Sequence, residues 1–240
     1  MSTEVEWLSL RLLGGFRVDT STGVLDVPAS AQRLVAYLAL QDRPVTRRQL
    51  AGVLWPETDE ERSAANLRST LWRAHRSGAL ITANRELMWL DPEVEVDVQV
   101  VARYAADLTD SGRDPPGIPS GLRFDHDLLP GWYEDWVVEE REHVRQLMLR
   151  SLALLVPALI SDGRVADGVE LAQQAVRLEP LCETSHRTLI AAYLAAGDRA
   201  RALRQFHDHA DLLRTELGLD PSDGTIDLVR HLLPVDATYR

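Results

Sequence analysis

Between residues 62 and 85 the chain carries five arginines, Arg62, Arg68, Arg73, Arg76 and Arg85, and no acid. A guanidinium fork can pair with guanine O6 and N7 or with a phosphate, an Asn amide can pair with adenine N6 and N7, and a Ser hydroxyl can serve either. At about 100° per residue, Arg62, Asn66, Ser69, Arg73 and Arg76 fall within about 80° of one another on a helix over residues 62–77. Ala64, Leu67, Leu71, Ala74 and His75 take the opposite side and are expected to be buried. A helix with that charged side outward suits insertion into the major groove of DNA. A merely solvated polar face would share the pattern, and the elements on either side of the helix favour the DNA reading.

Three neighbouring features bear on the same chemistry. Arg85 is predicted at the tip of a hairpin, where a basic side chain can reach a minor groove or its phosphates, or simply meet solvent. Glu57, Asp59, Glu60 and Glu61 precede the arginine-rich helix. Acids there stabilise a helix N-terminus through its dipole, and they could also meet a basic surface of RNA polymerase. Trp72 flanks the charged stripe beside Arg68 and is either a DNA-side aromatic or core, whereas Trp55, Trp89, Trp132 and Trp136 are expected to pack internally.

No catalytic or metal-binding set accompanies these residues. His207 and His209 are two apart in a helical stretch, so their rings diverge. His126 stands between Asp125 and Asp127 with no second cluster to complete a metal site. Glu139 and Glu140 read as a charged helix surface, and the sequence contains no GxSxG, no phosphate-binding Gly-rich loop and no HExxH. The expectation is a protein that is not an enzyme and holds no cofactor and no metal.

Composition is compatible with this reading. The 240 residues are 45% hydrophobic and 26% charged, enough for a packed core in one large or two ordinary domains. The net charge of −11 is concentrated after residue 100, so an acidic second half can face away from a locally basic first half. All the basic residues are arginine, which suits bidentate contacts, although a GC-rich genome would give the same bias. The single cysteine, Cys182, points to a reducing compartment. No apolar run approaches the ~20 residues of a membrane span, and Glu4 and Glu6 stand where a signal peptide would be basic. A cytoplasmic, nucleoid-associated protein without membrane contact is therefore expected.

The elements that must position the arginines can be read in order. Trp7 to Val18 alternates as strand around a bend at Gly14-Gly15, and Val24 to Val27 returns. A helix from Pro28 to about Gln41 buries Leu34, Val35 and Leu38. Thr46 and Gln49 fit a capping box for a helix over 47–55. The arginine-rich helix runs from about Glu60 to Ser77 and stops at Gly78. Leu80 to Thr82 pairs with Leu87 to Leu90. Sheet, three helices and hairpin make the plan of a winged helix-turn-helix. Asp97 is expected to N-cap a helix over 98–110, followed by a Pro/Gly-rich loop at 111–121. After Gly131 the chain reads as helical, and an offset of 34 residues aligns Leu155 with Leu189, Ala158 with Ala192, Leu159 with Tyr193, Gly163 with Gly197, Ala166 with Ala200, and Gly168 with Ala202. That is the tetratricopeptide period, with a plain helical bundle as the alternative. Pro157 is expected to kink the first long helix. The fold class is thus mainly α with a small β component: a winged helix at 1–97 and an all-α tetratricopeptide-like domain at 98–240.

The segments LRLLGGFRV at 10–18, SAQRLVAYLAL at 30–40, RPVTRRQLAGVLWPETDEERSAANLRSTLWRAHR at 43–76, DLLPGWYEDWVVEERE at 127–142 and ELGLDPSDGT at 216–225 resemble the Streptomyces antibiotic regulatory protein (SARP) family. That family joins an OmpR-type winged helix to a bacterial transcriptional activator domain. The resemblance implies a small, two-domain activator without the ATPase and sensor domains of large members. It implies binding to direct repeats in double-stranded promoter DNA, with a second copy side by side, recruitment of RNA polymerase holoenzyme, and control of secondary-metabolite, often antibiotic, gene clusters. By position, Asn66, Arg68 and Arg73 inherit a DNA-contact role. Two alternatives stay open: a helical-repeat adaptor that binds no DNA, suggested by the acidity, and a repressor acting by promoter occupancy.

Overall fold

A computed structural model describes residues 7–78, 80–110 and 124–233. The loop expected at 111–121, together with Glu4 and Glu6, lies outside the described residues. The chain forms two compact units, Met1–Ala102 with Asp127–Val144, and Arg103–His126 with Arg145–Arg240.

The first unit opens with strands β1 (Leu8–Arg11), β2 (Arg17–Thr20) and β3 (Gly23–Leu25). Leu10 and Val18 face each other across the antiparallel β1–β2 pair and are fully buried, which is what the alternating pattern required. Strand β7 (Val94–Val96) joins β1 in parallel and completes a sheet of order β3-β2-β1-β7. Helices α1 (Ala29–Ala39), α2 (Arg47–Leu54) and α3 (Glu60–Ser77) follow β3. A second sheet has the order β4-β6-β5, from β4 (Val45–Thr46), β5 (Ile81–Ala83) and β6 (Leu87–Leu90). Thr46 caps α2, its hydroxyl accepting from the Gln49 amide at 3.2 Å. This is a winged helix.

Helix α4 (Asp97–Asp110) begins one residue earlier than expected. The Asp97 carboxylate accepts from its neighbour Val98 at 2.8 Å, and it also reaches back to the amides of Leu12 at 3.0 Å and Leu13 at 2.9 Å. It therefore caps the open end of β1 as well as starting α4. Burial holds its carboxyl above the usual carboxylate range, against the pull of those amides.

The segment 127–132 closes this unit. Leu13 and Leu128 form an antiparallel bridge, and the Leu129 amide donates to Leu12 O at 2.9 Å. Leu129 is fully buried at φ 43, in the left-handed region. Trp132 and Trp136 pack edge to face, Trp136 against Tyr37 and Trp132 over Phe16, so both serve internal packing as expected.

The second unit is helical. Helix α5 (Asp135–Ser161) crosses the unit division between Val144 and Arg145. It remains helical across Pro157 and is followed by α6 (Val165–Leu178), α7 (Glu183–Ala195), α8 (Arg199–Leu217) and α9 (Asp223–Val229). An 18-residue window of α5 reaches a mean hydropathy of 1.4, so by length and composition it could cross a membrane, contrary to expectation. Scattered polar residues such as Arg150 and Ser151 kept it from reading as one apolar run. Its Met148, Leu152, Leu155, Val156 and Leu159 are core residues of the protein.

The repeat is visible in the backbone. Gly163 donates to Ile160 O and Arg164 to Leu159 O; at an offset of 34, Gly197 donates to Leu194 O and Asp198 to Tyr193 O. Both glycines are left-handed, at φ 78 and φ 74. Gly168 is close-packed, since a Cβ there would lie 3.1 Å from Ile160 Cγ1, and its counterpart Ala202 is fully buried. Small residues sit where paired helices cross, as in tetratricopeptide repeats.

Candidate nucleic-acid interface

Helix α3 owes its start to Asp59, whose carboxylate accepts from the Arg62 amide at 2.8 Å. Glu60 and Glu61 occupy its first turn, His75 and Arg76 its last, each charge placed to favour the dipole. Its buried stripe is Ser63, Leu67, Thr70 and Ala74, packed towards α1 and α2. That corrects the expected inner side. His75 is exposed, while Ala64 and Leu71 are only half-buried. On the helical wheel the buried stripe is turned by roughly 60° from the expected one. The cause is that small hydroxyl residues pack inward: Ser63 satisfies its own hydroxyl on Glu60 O at 3.1 Å, so burying it leaves no polar group unpaired.

The turn recentres the outward face without hiding any expected contact. Arg62, Asn66, Arg68, Ser69, Arg73 and Arg76 are all exposed. The row Arg68, Trp72, Arg76 now lies near the middle, and Asn66 and Arg73 near one edge. Trp72 is 59% exposed, and the Arg76 guanidinium carbon lies 4.8 Å from its ring centroid. Arg73 donates to Ser30 Oγ at the start of α1 at 3.2 Å. Arg62 pairs loosely with Asp59 at 3.4 Å.

Strands β5 and β6 form the wing. At its tip the Asn84 side chain accepts from the amides of Glu86 at 2.9 Å and Leu87 at 2.7 Å, an Asx turn that presents Arg85 to solvent. Sequence reasoning missed how the wing is held. Arg47, the first residue of α2, donates its own amide to Glu86 O at 2.9 Å and its side chain to Asn84 O. No local signal marked it, because Asn84 lies 37 positions along the chain.

The acids Glu57, Asp59, Glu60 and Glu61 are all exposed. Glu60 pairs with Arg48 at 3.3 Å across a groove of about 480 Å³ between α2 and α3. Ala51, Trp55, Ala64 and Leu67 give this groove an apolar lining, and Arg47, Arg48 and Arg68 are among its polar residues. Among the described residues, no group of three or more His, Cys, Asp or Glu could hold a metal ion.

Residues 124–233 match the bacterial transcriptional activator domain. Along 95% of its length the chain is 25% identical to the regulatory protein AfsR of Streptomyces coelicolor. The chain thus carries a bacterial transcriptional activator domain and is similar to a Streptomyces regulatory protein. The chain spans about a quarter of the length of AfsR, 24%. The fold is also that of EmbR from Mycobacterium tuberculosis, solved in complex with a low-affinity phosphopeptide: the TM-score is 0.58 at 20% identity, over 96% of this chain and 67% of that one.

Proposed function

We propose that this chain is a SARP-type regulator, a sequence-specific DNA-binding activator that lays α3 in a major groove. Arg62, Asn66, Arg68, Ser69, Arg73 and Arg76 contact base edges and phosphates, and Arg85 on the wing reaches the adjacent backbone. The observation that carries this reading is the outward arginine face of α3, with no acid between residues 62 and 85. A net charge of −11 does not oppose it, because phosphates respond to charge within about 8–10 Å. In this reading residues 1–97 are the DNA-binding domain and residues 98–240 the activator domain.

Two copies bind side by side on direct repeats near a promoter. Glu57, Asp59, Glu60 and Glu61, beside the α2–α3 groove, meet RNA polymerase holoenzyme. The genes controlled belong to a secondary-metabolite cluster, and the protein acts in the cytoplasm on the nucleoid.

Fluorescence anisotropy with duplex DNA across a salt series tests the first step. Log affinity falls with log salt at a slope of about −0.9 per phosphate neutralised. An affinity for duplex that is absent, or flat with salt, rejects DNA binding and leaves the adaptor reading. In vitro transcription then separates activation from occupancy: a Glu60→Ala/Glu61→Ala protein that binds normally but activates less supports the polymerase contact.

A further inference from the structure

We propose that Trp72 reads a thymine, its indole packing against the C5-methyl group in the major groove. This rests on the reading of α3 as the DNA-contacting helix and names one base feature that it recognises.

Trp72 is the large apolar side chain that α3 leaves exposed, at 59%. The helix had inward positions available and filled them with Ser63 and Thr70 instead. A large ring held in water while hydroxyls are buried on the opposite side of the helix is not explained by core packing. Its neighbours one turn away in each direction are Arg68 and Arg76, on the same row of the helix. The ring thus stands in the middle of a cationic face suited to a polyanion.

The thymine methyl group is the apolar feature that base pairs display in the major groove. Hydrogen bonding accounts for the arginines, Asn66 and Ser69 on this face; an apolar ring among them matches that methyl group. Arg76 lies over the ring at 4.8 Å, which restrains its guanidinium beside the same position. A restrained fork loses less freedom on bonding to a neighbouring phosphate or guanine.

The test uses the full chain. Duplexes are selected from a random-sequence library with the wild-type protein. The selected duplex is then labelled, and each thymine is replaced singly by deoxyuracil, which removes only the methyl group. One replacement is expected to weaken wild-type binding about fourfold, the effect of one buried carbon. Trp72→Ala should bind the parent duplex more weakly by at least that factor and show no response to the same replacement. Trp72→Phe should retain part of the response. Wild-type binding unchanged by every replacement, or a Trp72→Ala protein that responds as the wild type does, overturns the inference while leaving α3 a DNA reader. Failure of the wild type to select any duplex, with no salt-sensitive affinity, removes the DNA reading itself and this inference with it.

Discussion

The Arg47 guanidinium donates from Nε and Nη2 to the backbone carbonyl of Asn84, at 3.2 and 2.9 Å. One residue opens α2 and the other turns the wing, 37 positions later. Helix and wing are thereby joined by a charge-assisted fork.

Arg47→Ala should therefore act on the wing before it acts on stability. The bonds are exposed, so the stability cost should stay near about 1 kcal/mol. Amide exchange at Glu86 and Leu87 should quicken. In duplex binding, Arg85→Ala should cost less in the Arg47→Ala background than in the wild type, since a loosened tip no longer places Arg85. Strictly additive losses would show that the fork does not position it.

Arg141 should matter far more to folding. It donates to the carbonyls of Leu128 and Leu129 at 2.8 Å and Trp132 at 2.9 Å. Between them Leu129 holds a left-handed conformation that costs a non-glycine residue about 1–2 kcal/mol. Arg141→Ala removes the support and leaves the acceptors short, so urea unfolding should show a loss of roughly 3 kcal/mol. Arg141→Lys, with a point charge in place of a fork, should fall between.

A pH effect should arise in the second repeat. His186 and His209 stack with centroids 3.9 Å apart and are both buried. His186 is tied to Pro180 O and to the Gln205 amide, each at 2.8 Å, while neither ring nitrogen of His209 has a hydrogen-bond partner. Burial, reinforced by His186, pushes His209 down to about 4, and burial lowers His186 as well. Glu183 and Asp208 oppose these shifts only in part. The unfolded chain takes up protons that the folded one refuses. This stability is complete above pH 6.5 and is lost as pH falls towards 4. Each imidazole can steepen the loss by up to about 1.4 kcal/mol per pH unit. Urea midpoints between pH 7.5 and 4.5, values set by this window, should fall more steeply for the wild type than for His209→Phe; parallel curves would refute the coupling.

The two repeat turns should respond alike. Gly163 and Gly197 are at φ 78 and φ 74, so an alanine at either position is strained by about 1–2 kcal/mol. Gly163→Ala and Gly197→Ala should lower the urea midpoint by similar amounts. A large loss at one and none at the other would break the equivalence of the repeats.

Local rules explain how much could be read without coordinates. Caps and stops act over three or four residues. Thr46 and Gly78 therefore bounded their helices in the sequence alone, and α3 was expected over the same residues that it occupies. The alternation of Leu8, Leu10 and Leu12 and the left-handed glycines at a 34-residue offset are likewise local signals. Long-range bonds left no such trace. Asp97 was legible as a helix start, yet its bonds to Leu12 and Leu13 span 85 and 84 positions. The Arg47 fork to the wing was hidden for the same reason.

What the sequence determined by itself is where α3 lies and that one side of it is cationic, because both follow from residue order, capping and a fixed angle per residue. What only tertiary structure decided is how far that helix turns. Hydropathy alone could not foresee that α1 and α2 would accept Ser63 and Thr70 in place of Leu71; the Ser63 hydroxyl, bonded to the Glu60 carbonyl, is buried at little cost. That choice of packing partners moved Trp72 towards the centre of the exposed face and Arg73 to its edge against Ser30.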